Sequence, residues 1–229
     1  GYVTGLLTVT PFEQWQRSHA EHHATAGDLD HRGTGDVWTL TVDEYLAAPV
    51  WRRVFYRVFR NPFVLFGLSP ALLFLVRHRV CAAHASRAER LSVYFTNAGL
   101  AAMLLVAHVT IGLPIFLTTE LPIVALTATV GVWLFYVQHQ FEDAYWVRKD
   151  DWEPIKAALE GSSYYKLPAV LQWLTGNIGL HHIHHVQPKI PLYNLLRCQA
   201  TVPAFQAVQP LTVRESLSSL HLRLVDEPA

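Results

Sequence analysis

Most of the chemistry open to this chain sits in two short stretches. One reads His19-Ala20-Glu21-His22-His23 and the other His181-His182-Ile183-His184-His185. Both contain the spacing HxxHH. On a helix, residues at i, i+3 and i+4 share one face about a turn apart. Three imidazoles placed that way can converge on one metal ion or straddle two. Imidazole suits zinc, copper, iron and nickel, so the ligands alone do not name the metal. Neither stretch has the HExxH form of a zinc protease, and no cysteine pair supports a structural zinc site. A lone histidine is more often a hydrogen-bonded core or surface residue than a ligand. That reading covers His31, His78, His84, His108 and His221, but not two ordered clusters among 13 histidines.

Two further residues bear on the same site. His139 sits two residues past the second apolar run, where a side chain at the membrane boundary can reach the same metals. Asn177 precedes His181 by four residues, one helical turn back. It is read as a weak or water-mediated ligand, or as a hydrogen-bonding support for the ligands.

These clusters need elements to hold them. Residues 15–25 read as a polar helix, and 27–35 as a turn-rich stretch with Asp28, Asp30, Gly33 and Gly35. Thr41 with Glu44 three residues on predicts a capping box and a new helix over 41–48. Residues 51–60 are amphipathic: Trp51, Val54, Phe55, Val58 and Phe59 share one face, and Arg52, Arg53, Arg57 and Arg60 lie off it. Aromatics opposite arginines suit a helix in the lipid headgroup layer.

Of the 229 residues, 51% are hydrophobic and only 16% charged, against roughly 25% charged in soluble domains. The 18 basic and 18 acidic residues balance, which gives nucleic acid no foothold. Two cysteines, Cys81 and Cys198, exclude a disulfide scaffold. Uncharged runs cover 98–117 and 121–137, near the ~20 residues that a span needs. The intervening 118–120 predicts a tight hairpin. The run 62–76, with Pro70 inside, is short for a span, so 51–76 is expected to be interfacial or re-entrant. Arg77, Arg79, Arg87 and Arg90 precede the hairpin, Arg148 and Lys149 follow it, and its tip has neither Lys nor Arg. The positive-inside rule places both ends in the cytoplasm. Two crossings between the clusters put them on one face, as a shared site requires.

Three stretches then carry a family resemblance: TPFEQWQRSHAEHHATAGDLDHRGTGDVWTLTVDEY, VQHQFEDAYW and GNIGLHHIHHVQPKIPLYNL. Over nearly its whole length the chain resembles the membrane fatty acid desaturases, of the bacterial and cyanobacterial acyl-lipid type related to omega-6 (delta-12) enzymes. The resemblance is specific in these three stretches and loose in the apolar runs. It implies an all-α integral membrane helical bundle, with a cytoplasmic helical cap that carries the histidine boxes and two non-haem irons. It makes His19, His22 and His23 the second box, His181, His184 and His185 the third, and His139 the extra histidine after the hairpin. His182 takes the variable position of the third box and is left out.

The resemblance further implies an O2-dependent fatty acyl desaturase acting on a membrane-lipid acyl chain. No dinucleotide, phosphate-loop, haem-attachment or ferredoxin cysteine pattern occurs, so electrons would come from a separate ferredoxin or cytochrome b5-like donor. The first box, HDxxH, is absent. The chain also begins at Gly1, with Met103 its single methionine, and is read as 1–229 of one desaturase domain incomplete at its N-terminus and inactive as it stands. Alternatives on the same scaffold are a hydroxylase, an epoxygenase or a carotenoid ketolase. A membrane metal-binding or transport protein is a non-enzyme alternative, but it would want polar groups inside the spans. The expected location is a bacterial inner membrane, with the boxes on the cytoplasmic face.

Overall fold

The computed structural model describes residues 1–33 and 36–227. The chain runs through α1 (Tyr2–Leu7), α2 (Phe12–Thr25), α3 (Val42–Ala47), α4 (Val50–Phe59), α5 (Ser69–Leu75), α6 (Arg87–Thr110) and α7 (Leu113–His139). It continues through α8 (Pro154–Glu160), α9 (Ala169–Leu174), α10 (His181–Val186), α11 (Leu195–Thr201) and α12 (Pro203–Gln206). Strands are very short: β1 (Leu40–Thr41) pairs in parallel with β4 (Leu224–Val225), and β2 (Tyr164–Lys166) with β3 (Pro210–Thr212). With α6 and α7 long and apolar enough to cross a bilayer, this is the expected all-α membrane fold. Contacts divide the chain into two compact units. One holds Gly1–Ala20 and Arg57–Trp133, and the other Glu21–Tyr56 and Leu134–Ala229. Helices α2, α4 and α7 run from one into the other.

In the first unit, Ser86 and Glu89 form a reciprocal capping box that starts α6. Glu89 also accepts from Arg17 at 3.2 Å. The turn between the spans is not at 118–120 as expected but at Ile111 and Gly112. Gly112 takes φ +86° and donates its N–H to the Ala107 carbonyl at 2.8 Å. That is the left-handed stop that glycine makes at low cost. Thr118, Thr119 and Glu120 lie inside α7. The two threonine hydroxyls donate to the carbonyls of Pro114 and Ile115, so neither is an obstacle to a helix.

The segment expected to be interfacial or re-entrant is broken between two helices. A wide helical turn at Val64–Leu68 leads into α5, whose first turn holds Pro70. On α4 the apolar face is bare: Trp51 is 70% exposed and Phe55 60%. Arg60, expected on the polar face, is instead buried. So is Tyr56, whose hydroxyl accepts from the Leu40 N–H at 3.2 Å and donates to the Arg223 carbonyl.

In the second unit, the expected capping box is present: Thr41 accepts from the Glu44 N–H at 3.2 Å, and Glu44 from the Thr41 N–H at 3.0 Å. The turn after α2 begins at Gly27 with φ +79°; Thr34 and Gly35 lie outside the described residues. Leu180, Ile183, Leu195 and Phe205 form a closed core behind α10. Residues 213–225 make up the C-terminal stretch of this unit. It is a 3-10 helix at Glu215–His221 followed by β4. Its buried residues are Ser216 and Ser219, not its leucines, because the Ser219 carbonyl accepts from the Tyr136 hydroxyl at 2.8 Å.

Candidate metal centre

Three elements of the second unit deliver histidines to one place. The C-terminal half of α2 carries His22 and His23. The last residue of α7 is His139. Helix α10 carries His181, His184 and His185. His22, His139, His181 and His185 are all buried, and each offers a ring nitrogen within 4.8 Å of the other three. His139 Nε2 lies 3.0 Å from both His22 Nε2 and His181 Nε2, and His181 Nε2 lies 3.1 Å from His185 Nε2. Beside them, His23 Nε2 faces His184 Nε2 at 3.1 Å, and the His23 ring stacks on His185 with centroids 4.1 Å apart. His19 belongs to the first unit. It stands one turn before His23 on α2, with its ring stacked on Trp15 at 4.8 Å.

The contacts of the opposite ring nitrogens assign the protons. His22 Nδ1 lies 2.6 Å from Asp36 Oδ1 and donates to that carboxylate. His139 Nδ1 lies 3.1 Å from the Gly161 carbonyl, which can only accept. A neutral imidazole that donates from Nδ1 has its lone pair on Nε2. With Nδ1 engaged in this way, both rings turn Nε2 toward each other across 3.0 Å, buried from solvent. Neutral rings in these tautomers present Nε2 lone pairs that a cation held there would accept. Burial, and then the neighbouring imidazoles, push the His181 and His185 protonation equilibria well below the usual histidine range. Burial followed by His22 lowers that of His184. Rings held neutral in this way are the form that coordinates a metal. His181 Nδ1 is buried and has no hydrogen-bond partner among the described residues. The donor set thus fits a metal, and all-imidazole chemistry suits iron among others.

His182 points away from this group. It is fully buried, its Nε2 lies 3.1 Å from Gln199 Oε1, and Gln199 in turn donates to the Phe205 carbonyl at 3.1 Å. Burial pushes its protonation down to about 4. Asn177 is not one turn before the histidine helix. Gly176 and Asn177 both take φ +63°, so α9 ends there and α10 begins only at His181. The Asn177 amide donates to the Leu192 carbonyl at 3.1 Å. Asp36 and the Gly161 carbonyl, which orient two of the rings, carry no mark in the spacing of the clusters. An acidic residue in the irregular stretch after the first cluster was the one available hint.

The chain can be set against known proteins. The model of the fatty acid desaturase family matches residues 1–216. Over 227 residues the chain is 47% identical to a fatty acid desaturase of Bacillus subtilis, covering 99% of this chain and 64% of that one. It is 25% identical over 214 residues to an sn-1 oleoyl-lipid 12-desaturase of Synechocystis, covering 85% and 55%. It is also 25% identical over 226 residues to that organism's sn-1 acyl-lipid omega-3 desaturase (ferredoxin), covering 92% and 57%. The chain therefore spans only part of the length of each relative. The match nonetheless runs through the helices that carry both histidine clusters and through the apolar segments between them, and the chain belongs to the fatty acid desaturase family.

Proposed function

We propose that this chain is the histidine-bearing part of an O2-dependent desaturase, one that introduces a cis double bond into an acyl chain of a membrane lipid. His19, His22, His23, His139, His181, His184 and His185 hold two irons. The observation that carries this reading is the convergence of buried ring nitrogens, with His22 Nε2 and His139 Nε2 3.0 Å apart and the Nδ1 of each ring beside an acceptor. The single-domain reading of 1–229 and the placement of the boxes on the cytoplasmic face belong to the same proposal.

An unactivated methylene C–H bond is beyond acid–base chemistry, and the bound irons supply an oxidant made from O2. The protein's own groups prepare the site. Asp36 and the Gly161 carbonyl keep the Nδ1 protons of His22 and His139, so the Nε2 lone pairs face inward. Burial excludes water and keeps the α10 rings neutral. The reaction balances with O2, two electrons and two protons consumed, two adjacent hydrogens lost from the acyl chain, and two waters released. The electrons come from a separate donor, a ferredoxin or cytochrome b5-like protein. One Synechocystis relative carries ferredoxin in its name.

The test is lipid fatty-acid analysis by mass spectrometry, after expression of the whole protein that contains these residues with a competent donor. A new dienoic acyl chain that disappears in His184→Ala supports the reading. Hydroxy or epoxy acids would keep the metal site and overturn the reaction. Unchanged product in His184→Ala would remove the third box from the site.

A further inference from the structure

Outside the spanning helices, the second unit has a helix built inside out. Helix α9 buries its polar residue, Gln172, and exposes its apolar ones. Gln172 is 9% exposed, while Trp173 is 75%, Val170 68% and Leu174 64%. The helix closes on a turn in which the Asn177 N–H donates to the Gln172 carbonyl at 2.8 Å. The exposed surface continues onto a second segment. A Cβ on Gly176 would meet Leu192 Cδ1 at 2.8 Å, and the Asn177 amide holds the Leu192 carbonyl. Tyr193, next in the chain, is 78% exposed. With six residues, α9 cannot cross a bilayer. A tryptophan and a tyrosine held outward beside aliphatic side chains are the pattern of a surface at the headgroup level.

Charge points to the occupant. Residues 161–214 contain no Asp or Glu, yet Lys166 leads into α9, and Lys189 and Arg197 flank the Leu192–Tyr193 segment. Lys189 and Arg197 also line an open cleft of about 370 Å³ with Gln187, Asn194 and Thr201. Apolar anchors ringed by uncompensated cations complement anionic lipid.

We infer that α9 and the 192–196 segment form an interfacial docking surface for an anionic phospholipid bilayer, with Trp173 and Tyr193 among the headgroups and Lys166, Lys189 and Arg197 paired with lipid phosphates. The inference asks only that the chain resides in a membrane. It is independent of the metal and of the reaction.

The test places a nitroxide at Trp173→Cys or at Tyr193→Cys, each in a Cys81→Ser, Cys198→Ser background of the whole protein. The protein is held in nanodiscs of phosphatidylcholine with or without phosphatidylglycerol. Both replaced side chains are exposed, so each label spares the core. At both sites collisions with O2 should exceed those with a water-soluble nickel chelate, severalfold more than at the exposed control Lys156→Cys. The excess should grow with phosphatidylglycerol, and Lys189→Glu with Arg197→Glu should remove that growth. Chelate-dominated collisions at both sites would overturn the docking surface. Exclusion of both reagents would overturn it too, by showing a covering protein segment. An excess of O2 collisions indifferent to anionic lipid and to charge reversal would overturn the phosphate pairing.

Discussion

Asp36 holds His22 in one tautomer through a 2.6 Å contact, and its replacement isolates that effect. Asp36→Asn keeps the shape but removes the charge that favours an Nδ1 proton. In the whole protein its metal affinity should fall by about 10- to 100-fold, read by iron titration, with little change in thermal unfolding of the metal-free form. Unchanged affinity would show that His22 presents its lone pair without help. The second cluster offers a second contrast. His184→Ala should lower the bound iron. His182→Ala should leave the iron count intact and lower stability, because it strands Gln199 in a buried network, a loss of about 1–3 kcal/mol. Thermal unfolding beside metal analysis separates the two. The histidines were legible because i, i+3, i+4 spacing survives whatever the chain does elsewhere. Asp36 was not, because an irregular segment has no period by which to predict where it returns.

At the scale of elements, the stretch after α2 and the C-terminal strand are tied by one arginine. Arg148 donates to Glu227 at 2.6 and 2.8 Å and to Asp30 at 2.8 Å. The Lys149 N–H, and then Arg148, hold the Asp30 carboxyl below its ordinary 3.8, and Arg148 holds the Glu227 carboxyl below its ordinary 4.5. Depressed carboxylates contribute stability that is complete above their unfolded values and fades as pH falls through the folded ones. Arg148→Ala should therefore speed amide exchange in β1 and β4 at neutral pH by about two- to fivefold, as for an exposed ion pair. The difference between wild type and variant should vanish at pH values well below 3.8. A difference that persists there would mean that Arg148 acts by packing. Element types were largely readable: the Thr41 capping box and the polar helix of the first cluster stand where their residues put them. Boundaries failed where a left-handed residue cut across a pattern. Gly112 breaks a continuous apolar run, and Gly176 with Asn177 ends α9 before the histidine helix begins.

For the whole molecule, the question is which side of the membrane each end of the helical pair occupies. Helices α6 and α7 have 24 and 27 residues, about 36 and 40 Å at 1.5 Å per residue, against a hydrocarbon core of about 30 Å. Each has length to spare. Glu120 lies some 10 Å along α7 from its start, so the surplus length lets it reach the headgroups at the end away from His139. The corrected turn at Ile111 and Gly112 still carries no Lys or Arg, while Arg87, Arg90, Arg148 and Lys149 flank the pair. The positive-inside rule is therefore unaffected by the shift in the turn. In a Cys81→Ser, Cys198→Ser background, Ile111→Cys should react with a membrane-impermeant maleimide in intact cells. Arg87→Cys and Lys156→Cys should react only after permeabilisation. The reverse pattern would turn the pair over and leave the histidines facing away from cytoplasmic electron donors. Labelling of Arg87→Cys and Lys156→Cys from opposite sides would be more damaging. It would mean an odd number of crossings between residues 87 and 156, and, with 51–76 lying in the interface, one shared metal centre could not then be assembled from both clusters.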